Sequence, residues 1–138
     1  MSPNMANETF TLGVDVGGVI LDFIPYMNTD RSFDGPNYLS TPEVTGSIDS
    51  LAKLNKDKLF VGRIHLVSRF KHDERRIKEW LEYINFFGRT GIPESHFHPC
   101  KERKDKAEIA RSLGVTHFID DRAEVLREMA AFVLGLSV

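Results

Sequence analysis

The stretch TLGVDVGGVILD, residues 11–22, begins as a β-branched apolar run of strand length and breaks at Gly17-Gly18. Apolar on both faces, such a run fits a buried central strand of a parallel sheet. It carries Asp15 at its carboxyl end, and in an open α/β sheet ligands sit outside the carboxyl ends of the strands. The two glycines that follow let backbone approach a ligand closely. Asp15 is therefore a candidate nucleophile or metal ligand. Asp and Gly are also ordinary turn residues, so the stretch alone fits a strand-ending cap as well.

Working outward, residues 20–40 hold Pro25, Asn28, Asp30, Asp34, Gly35, Pro36 and Asn37, which is loop chemistry with room for a short hairpin over 20–26. Thr41-Pro42-Glu43 supplies an N-cap, a first-turn proline and a first-turn acid. With Val44, Ile48, Leu51 and Leu54 at helical spacing, it predicts a helix over 42–55. Residues 59–68 read as a second strand, with Gly62 as a bulge or an alternative start. Ile77, Trp80, Leu81, Ile84 and Phe87 recur on one face and predict a helix over 73–87. A short strand over 96–100 follows. Asp105-x-x-Glu108 opens a helix that stops before Gly114. A strand over 115–119, a helix over 122–130 with Val125, Leu126 and Met129 inward, and a fifth strand over 132–136 complete the chain. Strands alternating with helices imply βα units on a parallel sheet with right-handed crossovers. The expected fold class is α/β, a three-layer Rossmann-like sandwich with helices on both faces.

A chain of 138 residues suits one domain with one sizeable core, here expected as a tail over 1–9 and a single unit over 10–138. The net charge of −2 gives no footprint for nucleic acid or a membrane surface. No apolar stretch reaches membrane-spanning length, and the first residues lack the basic and apolar regions of a secretory signal. The lone Cys100 suits a reducing, cytoplasmic setting and reads as a small buried residue rather than a nucleophile. His96, His98 and Cys100 share a strand face, but a spacing of roughly 6.6 Å per pair is too wide for one ion. The mixed-sign run over 71–76 reads as a solvated helix start.

Polar residues stand where strands should end: Asp15, Ser68 and the pair Asp120-Asp121, with Lys104 and Lys106 just ahead of the helix before the fourth strand. Parallel strands place all these ends on one edge of the sheet. Two adjacent carboxylates in a dry site repel unless a cation or a lysine compensates. With Asp15 they form the oxygen-rich, incomplete set that Mg²⁺ prefers, leaving places for water and phosphate. A lysine and a hydroxyl nearby would hold the remaining phosphate oxygens.

From about Phe10 to Leu136 this arrangement resembles the haloacid dehalogenase (HAD) superfamily of phosphohydrolases. The matching residues are Leu12 to Ile20 around Asp15, His65-Leu66-Val67-Ser68, Lys106 with Lys104 as substitute, and His117-Phe118-Ile119-Asp120-Asp121. The resemblance implies a five-stranded sheet in the order 5-4-1-2-3. It implies Asp15 as the nucleophile that forms an aspartyl-phosphate, with Ser68 on a phosphoryl oxygen and Lys106 offsetting charge. It further implies Mg²⁺ held by Asp15, Asp120 and the backbone carbonyl of Gly17, with Asp121 supporting the metal or its water.

Two departures from the family's pattern matter. Its phosphatases usually carry a second Asp two residues after the nucleophile, where this chain has Gly17. General acid–base help of that kind is typically worth about 10²–10⁴-fold, so alkyl phosphates should turn over slowly, with Asp22 as a weak stand-in. The chain also lacks room for a cap domain. An open site favours a macromolecular phosphorylated substrate, a phosphoprotein, or a partner protein, unless an oligomeric partner covers it. The expectation is a Mg²⁺-dependent, phosphatase-type hydrolase. The alternative is a catalytically impaired domain that acts by binding or regulation.

Overall fold

Five short strands pair in parallel in the spatial order β3-β2-β1-β4-β5, the order the resemblance implied, read from the other edge. They are β1 (Leu12–Val14), β2 (Ile64–Arg69), β3 (Phe97–Cys100), β4 (His117–Asp120) and β5 (Leu134–Ser137). The computed structural model describes residues 9–69 and 74–137. The expected tail, apart from Thr9, and residues 71–73 of the charged run lie outside them.

Helices α1 (Ser47–Leu54), α2 (Glu74–Tyr83), α3 (Phe86–Thr90), α4 (Arg103–Ser112) and α5 (Ala123–Met129) connect the strands. One core gathers Leu12, Val14, Ile64 and Leu66 with Ile48, Leu51, Ile77, Trp80 and Phe86. A second gathers Val67 and Phe118 with Ala110, Val125 and Met129. Neighbouring residues of β2 thus feed opposite cores, which is why the strand reads as a continuous apolar run. Leu12 of β1 lies between Ile64 and His117, its partners in β2 and β4. The architecture is α/β and Rossmann-like, as expected.

Several boundaries differ from the sequence expectation, each for a local reason. No hairpin forms over 20–26. Leu21 instead bridges Gly17 and Glu43, and Ile24–Tyr26 is a 3₁₀ turn with Pro25 at its start. That bridge also delays the first long helix. Asp22 N donates to Pro42 O at 2.9 Å and Val44 N to Ile20 O at 2.7 Å. The Thr41 hydroxyl donates to Arg31 O at 2.6 Å instead of capping a helix. The backbone of 42–44 is spent on the loop, and α1 begins only after Gly46. β2 starts at Ile64 rather than Leu59 because 57–62 is a turn, closed by Leu59 N on Asp57 Oδ1 at 2.8 Å. The helix expected over 73–87 breaks between α2 and α3 at Asn85, in the left-handed region with φ of 55°, a conformation Asn tolerates through its short polar side chain. α4 begins at Arg103, so Asp105 lies inside the first turn and makes no capping box.

Candidate functional site

The carboxyl ends of β1, β2 and β4 deliver Asp15, Ser68 and Asp120 to one edge of the sheet. β1 pairs with both β2 and β4, so residues more than a hundred positions apart meet there. Lys106, in the first turns of α4, is buried and completes the group. Its Nζ lies 2.9 Å from Asp15 Oδ1 and 2.8 Å from Asp120 Oδ2. Lys104 is exposed on the same helix. Of the two lysines, Lys106 is the one whose ammonium reaches these carboxylates.

Asp15, Asp120 and Asp121 each offer a carboxylate oxygen within 4.8 Å of the other two. Asp120 is fully buried, and its Oδ1 accepts the backbone N–H of Arg122 at 2.9 Å. That bond fixes the carboxylate while Lys106 holds its other oxygen. Asp121 owes its place to Gly18, which has φ of +79° and stands so close that a Cβ there would fall 2.1 Å from Asp121 Oδ2. Gly18 therefore serves twice, as the left-handed turn and as the space for a carboxylate.

Three acids against one ammonium leave surplus negative charge out of water. Burial pushes the Asp15 carboxyl up to about 7; Lys106 opposes this, and Asp120 and Asp121 reinforce it. Asp121 is raised as well, first by burial and then by Asp120. Burial works to lower the Lys106 ammonium, but Asp15 and Asp120 more than reverse it, so its pKa is raised. A divalent cation fits this donor set: hard oxygen ligands, a net negative cluster and an incomplete shell.

Ser68 brings a buried hydroxyl that has no hydrogen-bond partner among the described residues. Buried polar atoms are rarely left so. Ser68 also lines a cavity of about 730 Å³ together with Asp15, Gly17, Lys106 and Asp121. The orphan hydroxyl thus belongs to a buried residue on the wall of this cavity.

Sequence reasoning missed the wall of this cavity. Phe23, Ile24, Met27 and Phe33, from the loop after β1, line it beside Ile77 and Val125, and Arg69, Arg103 and Arg122 join them. The signal was available: four large apolar residues in a stretch without strand or helix period. Asp22 is not among the residues that line the cavity, so the suggested stand-in for the missing acid does not reach it. Cys100 is buried, and burial pushes its thiol up to about 11, as expected of a packing residue rather than a nucleophile.

No protein-family model matches the chain, and no curated protein matches it in sequence. Solved structures do. The HAD domain of the effector protein Lem4 from Legionella pneumophila superposes with a TM-score of 0.55 at 15% identity, over 94% of this chain and 85% of that one. The chain has a haloacid dehalogenase-like fold. A class C acid phosphatase from Bacillus anthracis, with tungstate bound, gives 0.53 at 17% identity over 94% of this chain and 67% of that one. At such identities the likeness covers the haloacid dehalogenase-like fold alone. No helix among the described residues is long and apolar enough to cross a membrane.

Proposed function

We propose that the protein is a Mg²⁺-dependent phosphohydrolase in which Asp15 is the nucleophile. The observation that carries this reading is the bridge from Lys106 Nζ to Asp15 and Asp120, 2.9 and 2.8 Å long, beside a third carboxylate. Asp15, Asp120, Asp121 and the backbone carbonyl of Gly17 would hold Mg²⁺, which supplies charge neutralisation for the phosphoryl oxygens. Lys106 holds Asp15 in place and offsets charge on the phosphoryl group. The unpartnered Ser68 hydroxyl donates to a phosphoryl oxygen. Asp15 attacks phosphorus to give an aspartyl-phosphate, which water then hydrolyses. Burial of Asp15 strengthens each of these electrostatic contacts.

Gly17 favours a second reading, in which the domain keeps this site but acts by binding a partner. One assay separates them. Wild type and Asp15→Asn are compared on phosphate monoesters with Mg²⁺. The first reading predicts turnover by the wild type that the substitution abolishes. Turnover that survives Asp15→Asn rules out the nucleophile.

A further inference from the structure

Resting on the reading above, we infer that the site is selective for aryl phosphate monoesters, whose leaving group departs without being handed a proton. The residue two after Asp15, where the resemblance places that proton donor, is Gly17, which has no side chain to hold a proton. A side chain starting at residue 17 would meet the ring of Phe23, 3.4 Å from its Cβ. Among the described residues, the carboxylates on the cavity besides Asp15 are Asp34, exposed on the loop, and Asp121, in the cluster with Asp15 and Asp120. Gly17 leaves the ester oxygen without the proton donor that the resemblance places at that position.

Without it, the leaving oxygen must carry the electron pair alone. Asp15 Oδ bonds to phosphorus as the bond from phosphorus to the ester oxygen breaks, and the pair leaves on that oxygen. A phenol has a pKa near 10, so a phenolate can leave and take its proton from water afterwards. An alkoxide is about as basic as hydroxide, far more so than a phenolate. In the second step water bonds to phosphorus, the bond to Asp15 breaks, and the carboxylate returns while water's proton goes to solvent. There the leaving group is a carboxylate and needs no acid at all.

The cavity suits the same class. Phe23, Ile24, Met27 and Phe33 give it an apolar, partly aromatic wall on the loop that follows the nucleophile, with Ile24 and Met27 more than half exposed. An aromatic ring against such a wall buries apolar surface and stacks. The volume of about 730 Å³ accommodates a ring with its phosphate.

The test is a leaving-group series with the wild-type protein and Mg²⁺: substituted phenyl phosphates, phenyl phosphate, ethyl phosphate and glycerol phosphate. Two peptides of identical sequence carrying phosphotyrosine or phosphoserine run beside them. kcat/KM is expected to fall steeply as the leaving-group pKa rises. Phenyl phosphate should exceed ethyl phosphate by at least about 10²-fold, the usual worth of the missing acid. Phosphotyrosine peptide ahead of phenyl phosphate identifies a protein substrate; the reverse identifies a small aryl ester. Gly17→Asp, checked for folding by its melting curve, should raise the alkyl esters more than the aryl ones. Equal turnover of ethyl and phenyl phosphate, lost in Asp15→Asn, overturns the selectivity and leaves the nucleophile standing. Alkyl turnover that falls in Asp34→Asn overturns it too, by identifying another acid. Absence of Asp15-dependent turnover on every ester overturns both.

Discussion

Lys106 Nζ stands 2.8 Å from Asp120 Oδ2 with both side chains out of water, and the same ammonium reaches Asp15 at 2.9 Å. One cation therefore keeps two buried carboxylates compatible. Lys106→Met removes it and leaves them facing each other. Breaking a buried pair in this way costs about 3–5 kcal/mol. Denaturant unfolding without metal should register a loss of that order, and added Mg²⁺ should restore part of it.

Gly17 and Gly18 should respond unequally to the same added methyl group. Gly18→Ala forces a left-handed residue at about 1–2 kcal/mol and drives its Cβ into the Asp121 carboxylate. Lower stability and weaker Mg²⁺ binding by calorimetry are expected together. Gly17→Ala meets only the Phe23 ring at an ordinary 3.4 Å and should change stability by less than about 1 kcal/mol.

Ser68→Ala should separate stability from function. The hydroxyl has no partner among the described residues to lose, so unfolding free energy should hold or rise slightly. A hydrogen bond to a charged phosphoryl oxygen is worth about 1.5–3 kcal/mol. kcat/KM should therefore fall by about ten- to a hundredfold, and by much less for Ser68→Thr if the hydroxyl is what matters.

At the other end of the sheet, His65 of β2 meets His98 of β3 and His96 of the 3₁₀ turn just before it. His65 Nδ1 lies 3.0 Å from His98 Nε2, and the His65 ring stacks on His96 with centroids 4.0 Å apart. Burial, with His96 and His98 adding to it, lowers His65 to about 4. The unfolded chain takes up a proton near 6.5, while the folded chain resists until about 4. The stability this histidine contributes is complete above about 6.5 and is lost as pH falls from there through about 4. Between pH 7 and pH 5 the wild type should lose more of its melting temperature than His65→Gln does. Equal losses would assign the slope to other groups.

The site was legible to the extent that it follows from strand ends. Asp15, Ser68 and Asp120-Asp121 each close an apolar run, and a parallel sheet must then bring them together. The lysine was legible only as a choice of two, because Lys104 and Lys106 differ in where they fall around α4 and the true start of that helix decides it. Thr41-Pro42-Glu43 carried every local mark of a helix start. Pairing of 42–44 with 20–22 outweighed that marking, and such a long-range bond leaves no trace in a local window. Asn85 likewise kept the periodicity of its neighbours while turning the backbone. The His65–His98 contact depends on the register of Val67 with His98, which no single strand reveals. The loop wall of Phe23, Ile24, Met27 and Phe33 was visible as apolar residues without a period, but its destination was not.

If Asp15 is the nucleophile, it becomes phosphorylated during turnover. This is tested most directly by acid-quenching wild type and Asp15→Asn within milliseconds of mixing with phenyl phosphate and Mg²⁺, then mapping the label by peptide mass spectrometry. One phosphoryl group, labile to hydroxylamine, is expected on the peptide containing Asp15 in the wild type, and none in the variant. A phosphoryl group carried elsewhere, or phosphate released at an undiminished rate by Asp15→Asn, would contradict that role.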